Sequence, residues 1–181
     1  MSRVPLPIDG AFLLDVPRFE DERGWFARTW AQEDAAADGL DPGLAETGLA
    51  WNGARATLRG LHLQLAPHAE TKRVQCLRGA VHDVIVDLRP GSPTERRWHA
   101  VRLAAEEPCA LHVPAGCAHG YLTLTDDALL LYHLGAGHSP AHARGVRWDD
   151  PAIGVVWPFP PRVMNARDRE WPLLGAAGGL P

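Results

Sequence analysis

Apolar residues gather along this chain in short runs separated by turn residues. Arg73–Leu77, Val81–Leu88, Trp98–Leu103, Ala110–Val113, Tyr121–Leu124 and Ala128–Leu134 are such runs, and Pro90-Gly91, Pro114-Ala115-Gly116 and Asp126-Asp127 break them. Short strands at this spacing predict a β-sandwich or barrel. Ahead of them, Ala11–Val16 and Gly24–Trp30 read as strands flanking a polar turn at Glu20–Arg23, and Gln32–Asp38 as a short helix stopped by Gly39. Asp41–Gly53 has no clear period and reads as a long loop near the functional site. No internal repeat is evident. Residues 1–181 therefore read as a single domain, its core over 10–172 and a loose tail over 173–181, where Gly175, Gly178 and Gly179 fall.

Composition agrees with a β-rich reading. The 18 glycines and 16 prolines in 181 residues exceed their usual joint share of about 12%, which favours turns over a helical bundle. The formal charge of -4 comes from dispersed acids and bases with no basic run, so no nucleic-acid footprint is present. Cys76, Cys109 and Cys117 form no CxxC pair and fit a reducing compartment as small buried residues. Neither a leader-like N-terminus nor a window long enough for a membrane span is evident, and the expectation is a cytoplasmic protein with no membrane partner.

Candidate chemistry concentrates in Leu58-Arg59-Gly60-Leu61-His62-Leu63-Gln64, answered downstream by Gly116-Cys117-Ala118-His119-Gly120. In an extended strand His62 and Gln64 share a face. A histidine beside an arginine suits an anionic substrate and proton movement. A metal reading takes His62, Glu70 and His119 as three ligands, with Gln64 a poor fourth for zinc or iron.

These segments, with Asp21-Glu22-Arg23-Gly24-Trp25-Phe26, Asp83–Arg89, Gly91-Ser92-Pro93-Thr94 and Trp148-Asp149-Asp150-Pro151, resemble the dTDP-4-dehydrorhamnose 3,5-epimerase family of cupins, in order from Phe19 to Pro172. The resemblance implies an all-β jelly-roll (cupin) barrel with short N- and C-terminal helical segments. It also implies a homodimer and an epimerase that uses no metal or other cofactor. The substrate it implies is a dTDP-4-keto-6-deoxyhexose or related sugar nucleotide, inverted at C3, C5 or both.

An imidazole with a pKa of about 6.5 is a weak base for a carbon acid, so the enolate needs help. One preorganised donor supplies roughly 3–4 kcal/mol. The family pattern assigns His62 as base, Lys72 as the donor facing the oxyanion, and Tyr132 as the acid on the opposite face. Asp168 would orient His62, from Asn165-Ala166-Arg167-Asp168 followed by Pro172, where the family has serine at the first position. Asp149 and Asp150 read instead as a structural turn. Arg59 and Arg23 are candidates for the diphosphate, and His119, Gln64, Phe19, Phe26 and Asn52 match positions near sugar or nucleotide.

Two departures fall on the nucleotide side: Arg28 where glutamate is common, and His138 where a tyrosine usually stacks on the base. Trp51 is an unusual residue that offers a replacement surface. Besides epimerase and metal-dependent cupin, a non-catalytic cupin that binds a sugar nucleotide remains open from sequence alone.

Overall fold

Thirteen strands organise the described residues, 2–33 and 43–175, of the computed structural model. They are β1 (Arg3–Pro5), β2 (Phe12–Asp15), β3 (Arg18–Asp21), β4 (Gly24–Ala27), β5 (Glu46–Asn52), β6 (Leu58–Gln64) and β7 (Lys72–Arg78). Then come β8 (Ala80–Asp87), β9 (Trp98–Ala104), β10 (Cys109–Val113), β11 (Cys117–Thr123), β12 (Ala128–Leu134) and β13 (Ala143–Gly145), with helix α1 at Ala166–Glu170. One sheet runs β1-β2-β10-β7-β12-β5, a second β13-β6-β11-β8-β9, and β3–β4 form a separate hairpin. Neighbours within each sheet are antiparallel. The all-β jelly-roll expectation holds.

Period-two alternation explains the packing. Along β8, Val81 and Ile85 join Val74, Leu111 and Leu130 in the cluster between the sheets, while Val84 and Val86 join Leu61, Leu63, Val146 and Ile153 on the opposite face. The five-stranded sheet is thus covered on both sides, which is why β8 and β11 read as continuous apolar runs. Cys76 and Cys117 are buried members of the first cluster.

The C-terminal segment supplies the second cover. Asp150 is 2% exposed and accepts from Ala152 N at 2.7 Å and from Leu174 N at 2.6 Å. The turn reading of this motif is correct, but Leu174 is docked and buried, so the tail is not loose at that point. Residues 176–181 lie outside the described residues. Asp87 is likewise structural: its carboxylate collects Arg89, Ser92 Oγ and Thr94 Oγ1. The Gly91-Ser92-Pro93-Thr94 motif therefore ties a corner, outside the cavity described below.

Three expectations need correction. The stretch read as a loop over Asp41–Gly53 contains β5, which pairs with β12 from Glu46↔Leu134 to Asn52↔Ala128. Its alternation is inverted: Gly48, Ala50 and Asn52 face inward, while Leu49 and Trp51 are 66% and 61% exposed. Small inward residues leave room for a cavity and erase the hydrophobic signal. Strand β11 begins at Cys117, four residues before the run read from Tyr121, so His119 sits within the strand. The polar turn read over Glu20–Arg23 overlaps strand β3, which pairs with β4, while β2 pairs with β1 and β10. Most of the helix read over Gln32–Asp38 falls in 34–42, outside the described residues. No helix among those described is long and apolar enough to cross a membrane.

Candidate active site

A bulge decides which side chains meet. Strict alternation would put Arg59 and His62 on opposite faces, yet Arg59 pairs with Tyr121 and His62 with His119, so Gly60 and Leu61 together oppose the single Gly120. Both side chains consequently face inward, beside His119 and Tyr121. Glycine is required at the bulge. Gly60 has φ +137°, and a Cβ there would stand 2.6 Å from Gly120 Cα. The freed Gly60 N–H donates to Asp168 Oδ2 at 3.2 Å.

Between the sheets lies a cavity of about 270 Å³, lined by Ala50, Arg59, His62, Glu70, Lys72, His119, Tyr121, Tyr132, Leu134, His138, Asn165 and Asp168. A neighbouring space of about 230 Å³ shares His62, Glu70, Lys72 and Asp168 and adds Gln64, Arg144 and Arg167. All four residues read as proton-transfer groups, His62, Lys72, Tyr132 and Asp168, line the first cavity together with Arg59, His119 and His138.

Their partners define what each can do. His62 Nε2 stands 2.7 Å from Asp168 Oδ1, so Nδ1 is the nitrogen left for the cavity. Asp168 is 1% exposed. Burial alone pushes its carboxyl up, but the His62 bond and charge, the Gly60 N–H and Trp171 hold it below its ordinary value. It rides on α1, where Asn165 Oδ1 accepts from Asp168 N at 2.6 Å as the N-cap. Asparagine thus performs the capping that serine would. The Trp171 ring sits edge-on to His62 with centroids 6.1 Å apart.

Lys72 enters from the other sheet. Its Nζ donates to His62 O at 3.2 Å and lies 3.3 Å from Glu70 Oε1. Burial draws its pKa below the usual lysine value, opposed first by the Glu70 carboxylate. Tyr132, on β12, is kept neutral to high pH because burial, then Tyr121 and Asp83, raise its pKa. His119 Nε2 bonds Asp83 Oδ1 at 2.8 Å, with both side chains buried.

A model of the family described as dTDP-4-dehydrorhamnose 3,5-epimerase matches residues 5–176. The chain belongs to that family. It is 41% identical over 158 residues to the dTDP-4-dehydrorhamnose 3,5-epimerase of Sinorhizobium fredii, covering 87% of this chain and 81% of that one. It is 37% identical over 182 residues to the dTDP-4-dehydro-6-deoxyglucose 3-epimerase of Streptomyces bikiniensis, covering 97% and 90%. A crystal structure of dTDP-4-dehydrorhamnose 3,5-epimerase from Bacillus anthracis with TDP and PPi bound superposes with a TM-score of 0.91 at 34% identity, covering 96% of this chain and 99% of that one. Membership makes the chain a carbohydrate epimerase, hence an isomerase.

The other candidate site residues take different places in this single chain. Asn52 is 3% exposed and outside the cavity lining; it accepts from Arg59 Nε at 2.9 Å and from the Tyr121 hydroxyl at 3.2 Å, so it holds Arg59 in place. Gln64 is also 3% exposed, and its amide is taken up by Glu70, His68 O, Gly137 O and Ser139 N. Both side chains brace their neighbours, and Gln64 also lines the neighbouring space. Phe19, Arg23, Phe26 and Arg28 lie on or beside the β3–β4 hairpin, exposed and absent from the cavity lining of their own chain. Arg23 is engaged with Asp21 at 2.5 Å. Trp51 points away from the cavity and donates Nε1 to Asp127 Oδ1.

The alternative ligand set is not assembled: His62 is given to Asp168, His119 to Asp83, and Glu70 to Lys72 and Gln64. No group of three such side chains among the described residues is placed to hold a metal ion. Sequence reading missed the role of Asp83. A charge inside the apolar run Asp83-Val84-Ile85-Val86 was the signal, since a carboxylate in a buried strand needs a partner. It also overlooked that Lys72 is the only lysine in the chain, among seventeen arginines.

Proposed function

We propose that the chain inverts C3, C5 or both of a dTDP-4-keto-6-deoxyhexose, with His62, Lys72, Tyr132 and Asp168 as the groups that move and steady the proton. One observation carries this reading. His62 projects from the five-stranded sheet and Tyr132 from the six-stranded sheet into one cavity, so the planar enolate between them meets a base on one side and an acid on the other.

The steps follow from the geometry. His62 Nδ1 takes the proton from the carbon beside the ketone, and the C–H electron pair moves into an enolate. Asp168 holds Nε2–H and balances the imidazolium. Lys72 donates to the enolate oxygen, a contribution of roughly 3–4 kcal/mol for one aimed donor. The Tyr132 hydroxyl then protonates carbon from the opposite side, and exchange with solvent resets both groups. Arg59, held by Asn52 and by Trp51 O at 3.3 Å, is the cation for the diphosphate.

The exposed hairpin supports a homodimer as part of this proposal. Phe19, Trp25 and Phe26 are 61%, 58% and 64% exposed, and the outward Leu49 and Trp51 of β5 are exposed as well. A second copy is the partner that would cover such area and bring Arg23 near a cavity. Light scattering tests it: a monomeric mass at micromolar concentration refutes the assembly.

Incubation with dTDP-4-keto-6-deoxyglucose in deuterated water, followed by NMR, tests the chemistry. Deuterium at C3 and C5 that disappears in His62→Ala is expected of a 3,5-epimerase, and deuterium at C3 alone would make it a single epimerase. No incorporation at either carbon would overturn the proposal.

A further inference from the structure

Lys72 Nζ carries three protons as an ammonium. One reaches the His62 carbonyl at 3.2 Å and one faces Glu70 Oε1 at 3.3 Å, which leaves a single N–H for the cavity. Lys72 and Glu70 side chains are each 9% exposed. Glu70 is itself fixed: its Oε2 accepts from Gln64 Nε2 at 3.1 Å, and Gln64 is locked by His68 O at 3.1 Å, Gly137 O at 3.2 Å and Ser139 N at 2.6 Å. A chain of hydrogen bonds thus runs from the loop after β12, through Gln64 on β6, to the lysine on β7.

We propose that Glu70, clamped by Gln64, is the positioning residue for Lys72: it keeps that side chain an ammonium at neutral pH and aims its one uncommitted N–H into the cavity. The inference rests on the epimerase reading for its catalytic meaning. An isolated buried ammonium tends to lose its proton, because burial penalises the charged form. The remaining groups around the cavity oppose this less than Glu70 does. Asp83 on β8 also favours the ammonium, but less than Glu70 does, and its Oδ1 is bonded to His119 on β11; Asp168 on α1 is committed to His62; Arg59 on β6 is itself a cation; and Tyr132 on β12 is neutral. His138, from the loop after β12, adds no negative charge. Glu70 is the carboxylate within contact distance of Nζ, and burial of the pair leaves little water to screen it.

The uniqueness of Lys72 makes the test direct. Protein grown with 13C-lysine and carrying a lysine-free tag gives one side-chain Cε resonance, whose shift follows the protonation of Lys72. In Glu70→Gln, nearly the same size but uncharged, the titration midpoint is expected to fall by about one pH unit or more. The alkaline limb of kcat for solvent exchange should fall with it, while KM changes little. Gln64→Met, which frees Glu70 without removing its charge, should produce a smaller fall and a reduced kcat.

A midpoint in Glu70→Gln within about 0.3 unit of wild type, well short of the shift a nearby charge produces, overturns the proposal. An unchanged midpoint together with unchanged kcat in Gln64→Met overturns the clamp. A purely structural Glu70 would lower Tm and leave the midpoint where it was. Because the NMR titration needs no substrate, absence of deuterium exchange in the wild type would sink the epimerase reading while the role of Glu70 is still measured on its own.

Discussion

Replacing Asp168 by asparagine removes one charge and almost no volume, so it isolates what the carboxylate does for His62. The perturbed bond is 2.7 Å from Oδ1 to Nε2, and Asp168 is 1% exposed, which leaves little solvent to substitute for the lost charge. A hydrogen bond to a charged group contributes about 1.5–3 kcal/mol. At about 1.36 kcal/mol per decade, that converts to roughly a 10- to 150-fold fall in kcat. A second effect adds to it. If the asparagine amide turns its NH2 toward Nε2, the imidazole proton moves to Nδ1, the atom that must accept from carbon; in a related Ser-His-Asp arrangement the wrong tautomer costs roughly 10⁴-fold.

The fold should survive, because the N-cap bond uses the main-chain N of residue 168 and Gly60 N can donate to the asparagine oxygen. The assay is solvent-deuterium incorporation into dTDP-4-keto-6-deoxyglucose, with KM and Tm measured alongside. Expected are a loss of at least about tenfold in kcat and a KM within about threefold of wild type, the pattern of an interaction made in the transition state. If Asp168→Asn exchanges within threefold of wild type while His62→Ala is dead, the orienting role is wrong.

Tyr132→Phe should keep proton removal but lose delivery to the opposite face: deuterium still enters the starting sugar, while net inversion falls by about 10²-fold or more, as expected for a lost general acid. Gly145→Ala would place a methyl inside the Trp171 indole, which packs beside α1 and His62. Overpacking of about 1–3 kcal/mol should lower Tm by roughly 2–12 °C, and kcat should drop with no change in the residues that line the cavity. His112 stacks on Phe12 at 4.5 Å, and burial, then Arg3 and Arg73, lower its pKa from the ordinary 6.5 to about 4. The unfolded chain therefore binds this proton first, so stability falls as pH drops from about 6.5 toward 4, by up to about 3 kcal/mol. His112→Phe should flatten that part of a Tm-against-pH curve, and an unchanged slope would refute the assignment.

What the sequence displayed and what it concealed divide along physical lines. Strands that bury large residues were legible: β8 and β12 were delimited almost to the residue because Val81, Ile85 and Leu130 face a filled core. Strand β5 was hidden because it lines a cavity, so its inward positions are Gly48, Ala50 and Asn52 and its large residues point outward. The bulge at Gly60 was hidden for a related reason. Two glycines on facing strands mark close backbone approach, but sequence does not reveal that Gly60 faces Gly120. Motif likeness pointed to His62, Lys72, Tyr132 and Asp168, which line one cavity. It did not reveal that Gln64 braces Glu70 and that Asn52 braces Arg59.

That distinction bears on how this fold suits a two-sided proton transfer. A barrel of two facing sheets gives a flat intermediate two walls, each with its own source of rigidity. His62 is held from behind by Asp168, which is fixed in turn by the α1 cap and the Gly60 bulge. Lys72 is held by Glu70 and Gln64, and Arg59 by Asn52. His62, Lys72 and Arg59 thus each have a buried polar partner that is itself fixed by further hydrogen bonds. Tyr132 differs, for it is placed by strand pairing to Val74 and Gly48 and by ring contact with His119, centroids 6.0 Å apart. A neutral acid needs no charged partner. A base that must become an imidazolium does, and the walls of the cavity reflect that asymmetry: a carboxylate bonds His62 directly on one side, while the Tyr132 hydroxyl has the neutral Tyr121 hydroxyl as its hydrogen-bond partner on the other.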